Sequence, residues 1–332
     1  MHSPRGRNFS TRKSTTNKPS KDMGIIKRPS ELSVKDTLSV LIYGQPGIGK
    51  TTFGVSAPTA VLFDFDGSVQ RINGAHQVPT FQPTSWEDTA VALQEIQNEM
   101  PEIKTIVIDT VGKMLDYMSA YIIKSDPKMA MRDGSLSLKG YGVRKTMFVN
   151  FIKQLAIMGK NVVFIAHERE DKRNETIIKR PEIGGSSQGD LIKELDLVGY
   201  MSAYGKDRVI TFDPHEEYYA KNTCNLPAAI KLPVVVDESG KGASNKALAN
   251  IVAQYKAAQE KRQETTAEYE ALLGVIKETV NLADDAQSLN EAMDKVFGFE
   301  QIYDSLLRAQ RAIADKGKAL GLTYKKIAKR YE

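Results

Sequence analysis

Cysteine and long apolar runs are what this 332-residue chain has least of. Cys224 is its one cysteine, so no internal disulfide can form, which fits a reducing cytosol. No apolar run approaches the roughly 18 residues that a transmembrane helix needs, so we expect no membrane span. The 41% hydrophobic and 26% charged residues are those of an ordinary soluble globular protein. We therefore predict a cytoplasmic protein without a membrane partner, with one large domain and a smaller one.

Acidic residues are nearly missing from the start of the chain. Residues 1–28 contain eight lysines and arginines but only Asp22 as an acid, and they hold few large apolar side chains. Such a composition buries too little surface to offset the entropy lost on ordering, so residues 1–35 are predicted to be a basic disordered tail. Two interpretations stay open for it: an arm that holds nucleic-acid phosphates, or a solvated tail that aids solubility.

A complete P-loop pattern, G-x-x-x-x-G-K-[ST], occupies residues 44–51. An apolar, β-rich run precedes it and a helical pattern follows, which is the setting that the motif requires. The loop's backbone N–H groups cradle phosphates, Lys50 reaches the β- and γ-phosphates, and the Thr51 hydroxyl serves Mg²⁺. We predict ATP and Mg²⁺ as ligands. The predicted nucleotide-binding residues are Gly44, Gln45, Pro46, Gly47, Ile48, Gly49, Lys50, Thr51 and Thr52.

The order of apolar runs predicts an α/β fold between residues 36 and 235. Strands alternate with helices early in this region, which indicates a mostly parallel sheet flanked by helices. The last three strands follow each other closely and are predicted to be antiparallel. The predicted strands are 39–43, 60–65, 104–108, 161–166, 197–203, 208–212 and 217–221, and the predicted helices are 50–56, 86–99, 111–125 and 141–158.

The remaining segments are predicted to be loops, a linker and a small helical region. Residues 126–140 and 168–189 are rich in Gly, Ser, Pro and mixed charge and are predicted to be long loops, which are usually functional or mobile. Residues 236–245 are predicted to be a linker. Residues 246–332 are predicted to be a C-terminal α-helical appendage of three or four helices. Its predicted apolar stripes are Ala247/Ile251/Tyr255, Leu272/Ile276/Val280 and Ile302/Leu306/Ala310. Such stripes are more often core, but one such as Leu272/Ile276/Val280 can instead be a face that binds a partner.

Two predicted strands end in acids that suit ATP hydrolysis. Residues 105–109 are an apolar run closed by Asp109, the Walker B pattern, which holds Mg²⁺ through water. Residues 60–66 end in Asp64 and Asp66. A carboxylate at this place can orient or deprotonate the water that attacks the γ-phosphate, and we favour Asp66 for this role. Asp64 fits better as a cap of the strand end.

Two further residues are candidates, each with an ordinary structural alternative. His167 follows an apolar strand and can sense the γ-phosphate by hydrogen bonding, or it is simply satisfied by solvent. Lys221 closes a late strand and can act in trans on a neighbour's nucleotide, as an arginine finger does, or it is a surface lysine.

This succession of motifs resembles the RecA-type ATPase core, and it is most similar to phage nucleotide-binding proteins of the AAA group, which include single-strand annealing recombinases. The resemblance covers residues 36–235. It implies that Asp66 stands where the core keeps a catalytic glutamate and that His167 stands where it usually has glutamine. It also implies that Lys221 is the lysine that crosses the subunit interface. Residues 181–186 resemble the glycine pair of the second DNA-binding loop.

The resemblance further implies a homo-oligomeric ring or filament that binds single-stranded DNA near its axis. The two predicted loops supply cations that can follow a phosphate backbone, although acids dilute the second loop and Tyr141 is the nearest aromatic for stacking. The same charges also suit a merely solvated loop. The candidate nucleic-acid residues are Lys128, Arg132, Lys139, Arg169, Lys172, Arg173, Lys179 and Arg180.

Three functions are compatible with these patterns. The first is a phage-derived ATPase in the bacterial host cytosol that acts on single-stranded DNA in recombination, annealing or replication. The second is a nucleotide-switched loader whose C-terminal helices hold a single-strand-binding, replication or packaging partner. The third is a hexameric helicase motor, for which no residue demonstrates strand separation. Stimulation of ATP turnover by DNA separates the first from the second.

Overall fold

A computed structural model describes residues 25–173 and 176–332, so most of the predicted basic tail lies outside the described residues. Its described residues divide into two compact units, residues 34–262 and residues 263–332 together with residues 25–33. The strands are β1 Ser39–Gly44, β2 Ala60–Asp64, β3 Thr80–Phe81, β4 Thr105–Asp109, β5 Asn161–Arg173, β6 Thr176–Pro181, β7 Leu197–Tyr204, β8 Asp207–Thr211, β9 Lys221–Asn222, β10 Ala229–Leu232, β11 Tyr324–Lys325 and β12 Arg330–Tyr331. The helices are α1 Lys50–Gly54, α2 Asp88–Asn98, α3 Val111–Ser125, α4 Leu138–Ile157, α5 Ser187–Glu194, α6 Ala247–Asn281, α7 Ala286–Phe297 and α8 Ser305–Ala319.

The larger unit is built on one mostly parallel sheet with the order β10-β8-β7-β1-β5-β4-β2-β3. The strands β7, β1, β5, β4, β2 and β3 run parallel, whereas β8, β9 and β10 add antiparallel pairs at one end. Strand β5 lies between β1 and β4, so the P-loop strand and the Walker B strand are not direct neighbours. The α/β fold predicted from the sequence, with a mostly parallel sheet flanked by helices, is confirmed.

Two apolar cores cover the two faces of this sheet. One packs side chains of α2, α3 and α4, such as Leu93, Met114 and Phe148, against the sheet. The other packs Phe53 of α1 and Ile251 of α6 against the opposite face, and it also contains the buried Cys224. Parallel strands buried on both faces consist of continuous apolar runs, as β4 does, and their polar residues are confined to the strand ends.

The predicted second loop is wrong over most of its length. Strand β5 continues past His167 and pairs with β6 in an antiparallel hairpin, from Glu168↔Pro181 to Arg173↔Thr176, and α5 begins at Ser187. The hairpin forms because β5 extends a buried strand, which supplies the edge on which β6 pairs. The predicted first loop is also partly structured, with a 3-10 turn at Pro127–Met129 and an α4 that begins at Leu138.

The sheet edges differ from the predicted pattern in two places. The predicted strand 217–221 is reduced to β9, Lys221–Asn222, and two unpredicted strands, β3 and β10, pair with β2 and β8. The predicted linker packs against the core: Asn245 donates to the carbonyl of Thr52, and Asn73 donates to that of Gly240. The larger unit accordingly extends to Arg262, beyond the predicted boundary at 245.

The smaller unit contains the end of α6, then α7, α8 and the short hairpin of β11 and β12. Ile276 and Val280 of α6 are buried in its core, so the predicted Leu272/Ile276/Val280 stripe is confirmed as core. The predicted Ile302/Leu306/Ala310 stripe is wrong, because α8 buries Ser305, Ala309, Ile313 and Gly317 instead. Glu270 accepts a hydrogen bond from the Ser30 hydroxyl, which ties part of the predicted tail to this unit.

No helix among the described residues is long and apolar enough to cross a membrane.

Candidate functional site

The P-loop turns between β1 and α1 with the backbone that its glycines permit. Gly47 and Gly49 have φ angles of 79° and 93°, in the left-handed region that side chains other than glycine rarely adopt. A Cβ on Gly44 would collide with the carbonyl oxygen of Met201 in β7. The loop residues Gln45, Pro46 and Gly47 are exposed, whereas Ile48 is buried in the core beneath. The motif therefore forms the strand–loop–helix turn that cradles phosphates.

Lys50 begins α1 and its ammonium group lies inside the turn. Its Nζ donates to the carbonyl oxygens of Gly44 at 2.9 Å and Gln45 at 2.7 Å, and it lies 3.4 Å from Nδ1 of His167. Burial lowers the pKa of Lys50 to about 8, against the raising effect of the nearby Asp109. The lysine is therefore still mainly charged at neutral pH and is placed to bind phosphate oxygens.

Thr51 in the first turn of α1 and Asp109 at the end of β4 are in contact, as the metal prediction requires. The Thr51 hydroxyl donates to Oδ2 of Asp109 at 2.6 Å. Only 2% of the surface of Asp109 is exposed, and this burial raises the pKa of its carboxyl to about 6. The carboxylate is ionised at neutral pH. The Asp109–Thr110 peptide bond is cis.

A hydroxyl and a buried carboxylate are oxygen donors of the kind that Mg²⁺ prefers, so this pair fits the ion. Across residues 25–173 and 176–332, no group of three or more His, Cys, Asp or Glu side chains is arranged to hold a metal. Two protein oxygens suffice for Mg²⁺, because it usually keeps several waters and takes its remaining ligands from nucleotide phosphates.

The two acids at the end of β2 have different surroundings. Asp64 is buried, and its carboxylate accepts from the backbone N–H groups of Ser68 and Val69 and from the Gln82 amide. Asp66 is half-buried, and its backbone N–H donates to the carbonyl of Asp109 at 3.1 Å. The charge of Asp66 acts on Lys50, Asp109 and His167. The hydrogen bonds of Asp64 therefore fix the turn that follows β2. Asp66 is the acid whose charge acts on the lysine, the aspartate and the histidine of the site.

His167 lies directly beside the P-loop, because β5 pairs Gly44 with His167 in register. Burial, followed by the charge of Lys50, lowers the pKa of His167. The imidazole is therefore neutral at neutral pH, and its contact with the ammonium of Lys50 makes Nδ1 the acceptor. The proton is then on Nε2, which can donate a hydrogen bond.

Lys221 does not belong to this cluster. Its ammonium donates to the carbonyl oxygens of Ile192, at 3.1 Å, and Leu195, which lie at the end of α5. Strand β9 pairs Lys221 with Val198, which in turn lies opposite Leu41, near the middle of β1. Within one chain the lysine therefore caps a helix. Its role in a neighbouring subunit's site stays a prediction.

The nucleic-acid candidates divide into free and paired cations. Lys128, Arg132 and Lys139 are exposed, and no ion pair forms at them among the described residues. In the hairpin, Arg169 and Arg180 both contact Asp171, at 3.5 Å and 3.2 Å.

Other hairpin cations pack on aromatic rings. Arg180 lies 5.0 Å from the ring centre of Tyr219, and Lys179 lies 5.5 Å from that of Tyr200. Lys172 is exposed, and the Arg173 side chain lies outside the described part of the structure. Tyr141, the aromatic candidate, lies beneath the guanidinium of Arg144.

Glu168 is a site residue that the sequence reasoning did not single out. It follows His167 in β5, and its charge acts on Lys50 as well as on Tyr43 and Tyr200. Its Oε2 atom is buried without a hydrogen-bond partner among the described residues. The sequence offered one indication of its place, because Glu168 directly follows the predicted strand 161–166 and His167. A loop was predicted from residue 168 onwards, however.

Comparison with known proteins places this site in a recognised domain. The model of a family described as "AAA domain" matches residues 36–224, which contain all five predicted catalytic residues. A curated relative, the "SPbeta prophage-derived uncharacterized protein YorG" of Bacillus subtilis (strain 168), is 26% identical over 175 residues, 51% of each chain. The chain thus spans about half the length of this relative. A solved structure, the KaiC-like protein PH0186 from Pyrococcus horikoshii OT3, is 13% identical in sequence and gives a TM-score of 0.33. The match covers 52% of this chain and 77% of the PH0186 chain.

Proposed function

Because the chain belongs to the AAA domain family, matched over residues 36–224, we propose that it is a magnesium-dependent ATPase that acts on single-stranded DNA in phage recombination, annealing or replication. The observation that carries the ATPase proposal is the convergence of Lys50, Asp109 and His167 on one turn. The prophage-derived relative supports the phage setting. The exposed cations around α4 support contact with DNA.

Each residue of the site has a defined task in ATP hydrolysis. Bound Mg²⁺ would neutralise charge on the β- and γ-phosphate oxygens, with Thr51 and Asp109 as the residues that hold it. Lys50 binds the same oxygens as a cation. Asp66 accepts the proton of the attacking water, as a half-buried carboxylate beside the site can. His167 donates from Nε2 to a phosphate oxygen and thereby distinguishes the triphosphate.

The loader alternative loses its main structural support. It relied on Leu272, Ile276 and Val280 as a face for a partner, but Ile276 and Val280 are buried in the core of the smaller unit. Stimulation by DNA is therefore the property to test first.

The test measures ATP turnover with and without a poly-dT oligonucleotide over a range of salt. We expect Mg²⁺-dependent turnover that poly-dT increases, with the increase falling steeply as salt rises. Asp66→Asn should lower turnover by about 100-fold or more while ATP binding by calorimetry is kept, because only the proton acceptor is removed. Asp66→Glu, which keeps the carboxylate, should restore a measurable part of the rate.

The DNA contact is tested with a matched pair of double variants. Lys128→Gln/Arg132→Gln should lose most of the stimulation but keep the basal rate, because both side chains are exposed and lie outside the P-loop. The control, Lys104→Gln/Lys153→Gln, removes two other exposed positive charges and should behave like the parent. Turnover that is indifferent to DNA would refute the proposed substrate and leave the ATPase assignment standing.

A further inference from the structure

The charged side chains of the nucleotide site lie on one flank of the P-loop. At the end of β1, Gly44 pairs with His167 of β5 on one side and with Met201 of β7 on the other. His167 contacts Lys50 from the β5 side, and Asp109 ends the next strand along, β4. Lys50 reaches the β- and γ-phosphates of a bound triphosphate. The γ-phosphate therefore belongs beside β5 and β4, and the nucleoside extends away from these strands.

A cavity of about 140 Å³ lies on the other flank of the P-loop. It is bounded by the loop and α1 through Gly49 and Thr52, by the β7–β8 pair through Met201 and Arg208, and by residues 232–247. All of these residues belong to the larger unit. Cavities that enclose a whole small-molecule ligand usually measure about 300–1,000 Å³. This cavity has room for a planar ring system and not for a complete nucleotide.

The wall of the cavity farthest along the chain is held in place by hydrogen bonds. The carbonyl oxygen of Val235 accepts from the N–H of Ala243 at 2.8 Å and from Nε2 of His76 at 2.9 Å. The Asn245 amide donates to the carbonyl oxygen of Thr52 at 2.9 Å and so joins this wall to α1. Since the wall is already ordered, a ligand that enters the cavity loses little affinity to ordering it.

Arg208 of β8 is the one charged side chain among the described residues that line the cavity. It is half-buried, and its Nη1 donates to the carbonyl oxygens of Gly205 at 3.1 Å and Asp207 at 3.2 Å. The Asp207 carboxylate pairs with Lys231 at 2.7 Å instead, and Arg208 has no ion pair within the described parts of the chain. One nitrogen thus orients the guanidinium, and its other N–H groups are left for a ligand. A planar cation of this kind stacks on aromatic rings.

We propose that this cavity, which we call the base pocket, receives the base of the nucleotide and that Arg208 holds the base there. The proposal rests on the ATPase function and adds to its binding site residues that lie outside the P-loop motif. Because the base pocket adjoins Gly49 and Thr52, one ligand can fill it and the P-loop together. Met201 and Val235 offer apolar contact to the faces of the ring. Arg208 carries only donors, which match the ring nitrogens of a base that accept hydrogen bonds.

The experiment is calorimetry of the full chain in Mg²⁺ with two ligands: ATP, and inorganic tripolyphosphate, which has the phosphates without the nucleoside. The parent should bind ATP at least about fivefold more tightly, because a stacked base adds affinity. Arg208→Met keeps the aliphatic stem and removes the guanidinium. It should weaken ATP binding at least about fivefold and leave tripolyphosphate binding unchanged, which also shows that its P-loop is folded. In the ATPase assay its KM should rise by the same factor at an unchanged kcat, because the base does not react.

Lys206→Met is the matched control, since it removes one positive charge from the turn between β7 and β8. Lys206 pairs with Glu238 at 2.8 Å and does not line the base pocket. This variant should bind both ligands like the parent.

Three results would overturn the base pocket and leave the ATPase function standing. They are a parent that binds tripolyphosphate as tightly as ATP, an Arg208→Met variant with the parent's ATP affinity, and an Arg208→Met variant that loses affinity for both ligands equally. A parent that binds neither ligand would refute the ATPase function itself, and the base pocket with it.

Discussion

The role proposed for Asp109 in holding Mg²⁺ comes at the expense of stability. The carboxylate is buried, and this burial raises its pKa from 3.8 to about 6. The folded protein therefore holds the proton of this carboxyl more tightly than the unfolded chain does. Above about pH 6 the ionised group therefore destabilises the fold, and below about pH 4 this cost is absent. A neutral side chain would be a poor partner for Mg²⁺, so the proposed metal role requires the ionised carboxylate in spite of this cost.

Replacement of Asp109 by asparagine should therefore stabilise the protein and lower its turnover. An amide oxygen can still accept the hydrogen bond of Thr51, and no buried charge remains. At about pH 7 we expect the free energy of unfolding to rise by up to about 3 kcal/mol, and the gain should shrink by about half at pH 5. Turnover should fall about 10-fold to 100-fold.

Urea unfolding at the two pH values, together with an ATPase assay, measures both effects of the asparagine variant. A variant that is less stable than the parent at neutral pH would show that the carboxylate is held favourably instead. Thr51→Val is the companion variant, since it removes the hydroxyl and leaves the buried charge without its partner; it should be destabilised.

At the residue scale the sequence predicts several of the side chains that the structure brings together at the P-loop. The motif fixes Lys50 and Thr51, and the ends of two apolar runs fix Asp109 and His167, because parallel strands terminate at the same edge of the sheet. The choice between Asp64 and Asp66 requires the contacts of Asp64 with Ser68 and Val69. The partners of Lys221 lie 26 and 29 residues before it in the chain and cannot be derived from local spacing.

At the element scale, Lys221 holds the end of α5. The ammonium satisfies two carbonyl oxygens that the helix leaves without partners, and such contacts of a charged donor are worth more than neutral ones. Lys221→Met keeps the aliphatic stem and removes both bonds. It should lower the free energy of unfolding by about 1–3 kcal/mol.

Lys231→Met is the control, because that lysine forms an exposed ion pair with Asp207 in the neighbouring β8–β10 pair. Its effect should stay below about 1 kcal/mol. Urea unfolding compares the two variants. If Lys221→Met keeps full stability and loses turnover, the helix-capping role is wrong and the predicted role across subunits gains support.

The hairpin of β5 and β6 illustrates where sequence prediction of elements failed. Residues 168–173 read Glu-Arg-Glu-Asp-Lys-Arg, with no apolar alternation to indicate a strand. The structure extends β5 through them because the strand is already anchored in the sheet, and Asp171 then pairs with Arg180 across the hairpin. Cross-strand charge pairs stabilise such ribbons, but their register becomes visible only in three dimensions.

At the scale of the whole molecule, Lys50 is the one lysine among the described residues with a buried side chain. The exposed Lys113 also acts by its charge on His167, and a transition state with developing charge commonly uses further cations. A neighbouring subunit can supply such a cation in the ring or filament that the RecA-type resemblance implies. We therefore expect assembly to accompany turnover.

Native mass measurement with a non-hydrolysable ATP analogue and poly-dT tests the assembly. We expect species that are multiples of the monomer mass, and the same species should be missing for Lys50→Ala, which weakens nucleotide binding. A protein that stays monomeric while it turns over ATP at its full rate would contradict this expectation.

Cys224 has a practical consequence for all of these measurements. It is the one thiol of the chain, only 4% of its surface is exposed, and burial raises its pKa, so it is a poor target for alkylating reagents. A cysteine introduced at Ile327, on the fully exposed tip of the β11–β12 hairpin, would therefore take up a maleimide dye selectively in otherwise native protein. The chain is thus ready for site-specific spectroscopy without prior removal of its own sulfur.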